Sequence, residues 1–398
     1  MMKKVIAVSG IILLAVMAGC GGGNRSTTVI LSNDGLITVD VSRSYPKKEL
    51  ILQDFMDVEY VHLDDVFVTQ GNVLAVGKEI IVVYNSQRDG DIFIFDRTTG
   101  KGLRKINRMG QGGEEYSRIT GVVLDEENDE LFVHETKIFV YDLHGKFKRS
   151  YRYSNSSRFV FYSRIYNYNR EYLICFDSTL EFENEGKGTN SFHAIISKQD
   201  GSRIRDITIP FKKLKPTMME FRARDITRAL GPSNANWMTP YKRNWILTNS
   251  SADTIYMYLP DDTLLPFIAR TPSIQSMDPS VFLFPQVLTE QYYFMKTEKR
   301  EVKSPDDEGF PKTNLVYDIQ EQKMYESVVY NDDFSIKTTV DMSQQRRVDD
   351  DIAFWYKYEA YELVEAYEKG VLKGRLNEIA AGLNAESNPV IMLVKEKL

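Results

Sequence analysis

Gln111, Glu115, Tyr116 and Arg118 place an amide, a carboxylate, an aromatic ring and a guanidinium along one glycine-rich stretch, Gly110-Gln111-Gly112-Gly113-Glu114-Glu115-Tyr116-Ser117-Arg118. Amide and guanidinium groups pair with hydroxyl and carboxylate oxygens, and tyrosine adds a flat apolar face with a polar tip. Together they can hold a sugar or a peptide. On this reading Tyr116 and Arg118 touch the ligand, and Gly110 and Gly112 shape the loop. The competing reading is that the glycines allow a tight passage between two structural units and that Tyr116 packs between them. A second group is Lys212, Lys213, Lys215, Arg222, Arg224 and Arg228 against Glu220 and Asp225, a local charge near +4 on a chain of net charge −6. It could steer an anionic glycan or an acidic partner; a solvated helix face explains it as simply. Trp237, Tyr241 and Trp245 follow, and such rings stack on sugars or fill a core.

Other chemistry is scarce. The chain has no Gly-x-Ser-x-Gly elbow, no His-Glu-x-x-His and no phosphate loop. His62, His134, His144 and His193 are not at metal-ligand spacing, and no metal or other cofactor is expected. Asp125-Glu126-Glu127-Asn128-Asp129-Glu130 lacks the spacing of a calcium loop and reads as a solvated hairpin turn. Asp349-Asp350-Asp351 reads as a helix start. Cys175, inside Tyr-Leu-Ile-Cys-Phe, reads as a buried, inert thiol. The acidic balance argues against nucleic acid as a partner.

The N-terminus resembles a bacterial lipoprotein signal. Lys3-Lys4 precede an apolar run from Val5 to Met17, then Ala18-Gly19-Cys20. The resemblance implies cleavage before Cys20 and acylation of that cysteine. Residues 1–19 are thus read as the signal. Without Lys3 and Lys4, 48 basic residues face 56 acidic ones, a charge near −8. Gly21-Gly22-Gly23-Asn24-Arg25-Ser26-Thr27-Thr28 has a flexible composition, and residues 20–49 are read as a lipidated tether.

The elements that must position any site are strands. Ile92-Phe93-Ile94-Phe95-Asp96 leads into Thr99-Gly100-Lys101, and Ile138-Phe139-Val140-Tyr141-Asp142 into His144-Gly145-Lys146. Weaker echoes end at Asp200-Gly201, Asp261-Asp262 and Asp318. Each is a strand, an Asp-based turn and another strand, preceded by further strands. A period of 40–60 residues with about four strands is that of a β-propeller blade. A sixth unit would pair Val58–Leu63 with Val390–Val394 and so close the ring from both ends. Two stretches are read as helical, Pro216 to Leu230 and Val348 to Leu383. In the latter, Leu372, Leu376, Ile379 and Leu383 share one helix face, and Gly370 and Gly374 separate or kink the helices. These helices, in an insertion near 345–385, are expected to pack on the rim.

Gly110–Tyr116 resembles the Gly-Gln-Gly-Pro-Gly-Glu-Tyr segment of six-bladed β-propeller lipoproteins of Bacteroides-type gut bacteria, relatives of NHL-type propellers. Gly113 stands for that family's Pro and Glu114 for its second Gly. Asn388-Pro389-Val390-Ile391-Met392-Leu393 is similar to the family's last strand. The resemblance implies an all-β, six-bladed propeller of four-stranded blades over residues 50–398, anchored by lipid in the cell envelope. The outer membrane is the expected location. Surface-exported lipoproteins of such bacteria carry an acidic run after the cysteine; none follows Cys20, so the periplasmic face is expected. The expected function is binding of a glycan, a peptide or an envelope protein. A propeller-type hydrolase or lyase acting on polysaccharide or a small molecule is the alternative.

Overall fold

The computed structural model describes residues 28–29, 35–153, 160–180, 191–223, 226–233, 235–304, 306–342 and 352–397. The signal, Cys20 and Asp349-Asp350-Asp351 lie outside the described residues.

Six sheets, each antiparallel within its blade, form the body of a six-bladed β-propeller. Blade I runs Asn72–Val76, Ile80–Tyr84, Asp91–Asp96, Gly102–Asn107. Blade II runs Gly121–Asp125, Glu130–His134, Lys137–Tyr141, Phe147–Arg152. Blade III runs Tyr162–Asn167, Tyr172–Asp177, His193–Ser197, Arg203–Ile207. Blades IV and V begin at Met238–Tyr241 and Val281–Leu288 and end on Thr263–Thr271 and Lys323–Asn331. First strands touch between blades I and II, II and III, IV and V, and V and VI.

Burial explains the sequence pattern. A middle strand is covered on both faces by neighbouring blades, so Glu130–His134 and Ile80–Tyr84 are buried almost throughout and read as apolar runs. Outer strands have one wet face: in Gly102–Asn107, exposed Leu103, Lys105 and Asn107 alternate with half-buried Gly102 and Arg104 and buried Ile106. The core is divided among the seams between blades. One apolar cluster joins blades I and II, another II and III, and so on round the ring. Cys175 lies in the II–III seam, where burial pushes its thiol up, as expected of an inert core cysteine.

The repeated aspartates do what their turns require. Asp96 Oδ1 accepts from the Thr98 and Thr99 amides, Asp142 Oδ1 from His144 and Lys146, Asp200 Oδ1 from Ser202. Gly100, Gly145 and Gly201 have positive φ; in the last two echoes Asp262 and Gln322 do so instead.

Blade VI closes the ring as the termini imply. Val390–Glu396 pairs on one side with Ile352–Tyr358 and on the other with Met56–His62, with Val58 opposite Val394 and Val61 opposite Ile391. His62 abuts the Gly100 turn of blade I, as Ile106 abuts Gly145 and Tyr151 abuts Gly201. Met56–His62 is therefore the outer strand of its blade.

Three expectations are corrected. The tether does not extend to residue 49: Ile37–Asp40 pairs in parallel with Ile268–Thr271, and Lys47–Ile51 with Glu326–Tyr330. These segments cover edges that the outer strands of blades IV and V would leave open. Pro216–Leu230 is not a helix. Met219–Ala223 and Ile226–Leu230 form a hairpin, in which Met219 and Phe221 alternate with Glu220 and Arg222 and pack on an apolar cluster. Val348–Leu383 is only partly helical. Ile352–Tyr358 is a strand, and the helices are Ala360–Glu368 and Gly374–Ala380, separated at Gly370, whose φ is positive. Leu372 and Leu376 are buried, and Ile379 and Leu383 half-buried, in the V–VI seam.

Candidate functional site

The glycine-rich loop carries the chain from the outer strand of blade I to the inner strand of blade II. The Gly110 amide donates to the Tyr116 carbonyl (3.0 Å) and the Tyr116 amide to the Arg108 carbonyl (3.1 Å). Tyr116 is wholly buried in the I–II seam, edge-on to Phe139 and Tyr141. Its hydroxyl donates to the Gly90 carbonyl (2.7 Å) and accepts from the Arg108 amide (3.0 Å). Burial pushes that hydroxyl up to about 12. Tyr116 is therefore a seam residue, which corrects its assignment to a ligand. The Glu115 carboxylate turns back to accept from the Gly112 amide (2.8 Å), and a Cβ at Gly110 would run into it. Gln111 and Arg118 lie exposed. The loop does not gather the four groups into one site.

The acidic run is the expected hairpin turn, with Glu127 and Asp129 exposed, but its other carboxylates are built in rather than solvated. Asp125 is buried against Lys198 (2.5 Å), and Glu130 is held by Arg149 (2.6 Å) and Lys148 (2.7 Å). Glu126 accepts from the amides of Lys78 (2.6 Å), Glu79 (3.0 Å) and Ile80 (3.2 Å), in the turn after the first strand of blade I. Gly77 leaves room there, since a Cβ would strike the Glu126 carboxylate. Asn128 donates to the Arg170 carbonyl (2.9 Å) in the matching turn of blade III. Lys242, in the turn of blade IV, pairs with Glu290, in the turn of blade V. The turns are thus tied to one another around the axis.

These turns surround a cavity of about 550 Å³ lined by the ends of the inner strands of blades I to IV. It lies at the end of strand Gly121–Asp125 opposite the glycine-rich loop. Its walls include Leu74, Val122, Leu124 and Ile165. Tyr166 and Trp245 line it as a tilted ring pair 5.7 Å apart, with Tyr168 nearby. Asn167, Asn244, Lys78, Arg243, Glu126 and Glu127 supply its polar groups. Arg243 sits in a two-residue turn between paired Tyr241 and Asn244; Lys242 and Arg243 have φ of 47° and 62°. Left-handed backbone at two non-glycine residues costs roughly 1–2 kcal/mol each, where Asn-Gly would be unstrained.

A family model described as DUF5128, six-bladed β-propeller, matches residues 31–353. The chain belongs to this DUF5128 family. Among solved structures, a DUF5128-like fold is seen in a Bacteroides fragilis protein described as exported. The two are 14% identical, with a TM-score of 0.58, over 91% of this chain and 100% of that one. A DUF4221 protein of Bacteroides vulgatus is similar at 12% identity and a TM-score of 0.47, over 86% of this chain and 97% of that one. No curated protein matches the sequence. This DUF5128 chain has no helix among its described residues long and apolar enough to cross a membrane. Among the described residues no group of three His, Cys, Asp or Glu could hold a metal.

The remaining sequence candidates are dispersed. Trp237 stacks on Phe176 (4.8 Å) in the III–IV seam, and Tyr241 is buried between blades IV and V. Burial lowers His62, His134 and His193, the last two to about 4. The sequence reading missed Tyr166, Asn167, Arg243 and Asn244 and left Trp245 undecided. The available signal was Tyr166-Asn167-Tyr168-Asn169, rings and amides alternating at a strand end, and the glycine-free turn at Lys242-Arg243.

Proposed function

We propose that the protein is a lipid-anchored envelope protein that binds a glycan or peptide in the cavity ringed by the inner-strand turns. The observation that carries this reading is the lining itself: three aromatic rings, three amides and apolar walls contributed by the inner-strand ends of four blades. Ligand sites combine apolar walls with a few convergent polar groups, and 550 Å³ is a usual size for them. The lining favours binding over glycoside hydrolysis, which needs two available carboxyl groups. Asp125 is engaged by Lys198 and Glu126 by three amides.

A glycan and peptide array on the full chain tests the reading, followed by calorimetry on Tyr166→Ala and Asn244→Ala. Both variants should weaken binding of any ligand found. Unchanged affinity in both would move the site elsewhere. The anchor part of the proposal rests on Met17-Ala18-Gly19-Cys20. Cys20→Ala should abolish labelling by radioactive fatty acid; equal labelling of variant and parent would refute the anchor.

A further inference from the structure

The charges around the cavity do not balance in the way the rest of the mouth does. Asp125 and Glu126 are satisfied by Lys198 and by backbone amides, and Lys242 is satisfied by Glu290. Arg243 and Lys78 make no ion pair with any described residue, although both line the cavity. Glu127, the remaining carboxylate of the lining, is exposed and acts through space on Lys198. The strained turn at Lys242-Arg243 divides its two cations. The first is spent on the neighbouring blade, and the second lines the cavity. Strained backbone of this kind persists where its surroundings hold it, and it clusters at binding sites.

We propose that the ligand is a carboxylated saccharide, with a sugar ring against the half-buried Tyr166, which Trp245 backs from the III–IV seam, hydroxyls on Asn167 and Asn244, and the carboxylate on Arg243. This rests on the reading of the cavity as a ligand site. A guanidinium offers two parallel donors to one carboxylate, which an ammonium cannot. Side-chain amides both donate and accept, which suits hydroxyls better than it suits an acidic side chain. Lys78 adds a second positive charge at the same mouth.

The test uses the full chain in detergent and an array holding uronate- and sialate-bearing oligosaccharides, their methyl esters, neutral oligosaccharides and acidic peptides. Carboxylated saccharides should bind best, and esterification should weaken them by about tenfold or more. Arg243→Gln should cause a similar loss for the carboxylated member and leave its ester unchanged. Arg243→Gly should lose the same affinity while melting higher than the parent, because glycine adopts positive φ freely. A purely structural Arg243 would show neither the ester dependence nor that opposition. Equal binding of acids and esters, or of Arg243→Gln and parent, overturns the proposal. If Tyr166→Ala still abolishes binding in that case, the cavity remains the site. Preference for acidic peptides overturns the saccharide assignment. Binding of no array member overturns both the proposal and the reading beneath it.

Discussion

The two ends of the central channel are built from the same strands and differ in what their side chains are free to do. At the loop end, Tyr116 is consumed by the I–II seam and Glu115 by the Gly112 amide. At the turn end, Glu126 and Asn128 tie neighbouring turns together and leave half-buried Tyr166 and Asn244 and exposed Asn167 and Arg243 around a cavity, with Trp245 in its wall from the III–IV seam. A motif rich in chemical groups is the better-packed structure, and plain turns hold the space. Seam packing needs large amphipathic side chains at fixed places, so it makes conspicuous motifs. An axial cavity draws one or two residues from each blade, so it leaves no local mark.

Acid should separate the two ends most strongly. His134 and His193 sit at the loop end: the His134 carbonyl accepts from Thr120, and the His193 ring meets the Trp237 carbonyl. Burial holds both imidazoles down to about 4, against an ordinary 6.5. The unfolded chain takes up these protons below about 6.5, so stability is present above that pH and lost as pH falls toward 4. The loss is on the order of 3 kcal/mol per histidine when complete. Thermal melts from pH 7 to 4 should fall, with a shallower slope in His134→Asn. An unchanged slope would mean that this histidine is not held neutral.

Tyr116→Ala should cost about 3–5 kcal/mol, the range for an emptied aromatic site, with ligand affinity intact in protein that still folds. A stable variant that loses ligand would return the loop to the site. Glu126→Ala removes a carboxylate from three amides and should cost about 2 kcal/mol. It should also weaken ligand binding, since the rim loses its link from blade II to blade I. If stability falls and binding does not, the rim does not shape the cavity. Arg118→Ala, at an exposed position, should change stability by less than about 0.5 kcal/mol.

Much of the ring was legible because its signals are local. The Asp turns recur, the two terminal strands pair as expected, and Leu376 and Ile379 fall in the second helix, while Leu372 and Leu383 flank it. The helical reading was carried too far upstream. Phe354-Trp355-Tyr356 is an aromatic run suited to a strand, and its pairing partner lies over thirty residues away in Val390–Glu396. The hairpin at Met219–Leu230 was misread because its charges drew more notice than its alternation. The cavity was beyond reach for another reason. Tyr166 and Trp245 are remote in sequence, and only the packing of blade III on blade IV brings their rings to 5.7 Å.

The central claim is that ligand binds at the turn end of the channel and not at the glycine-rich loop. Calorimetry of one array-selected ligand against the parent, Tyr166→Ala and Arg118→Ala tests it most directly. Affinity should fall about tenfold or more in Tyr166→Ala, as for the loss of a stacking and hydrogen-bonding ring, and stay within error of the parent in Arg118→Ala. The reverse pattern, with Arg118→Ala weakened and Tyr166→Ala unchanged, would contradict the account and place the site on the loop.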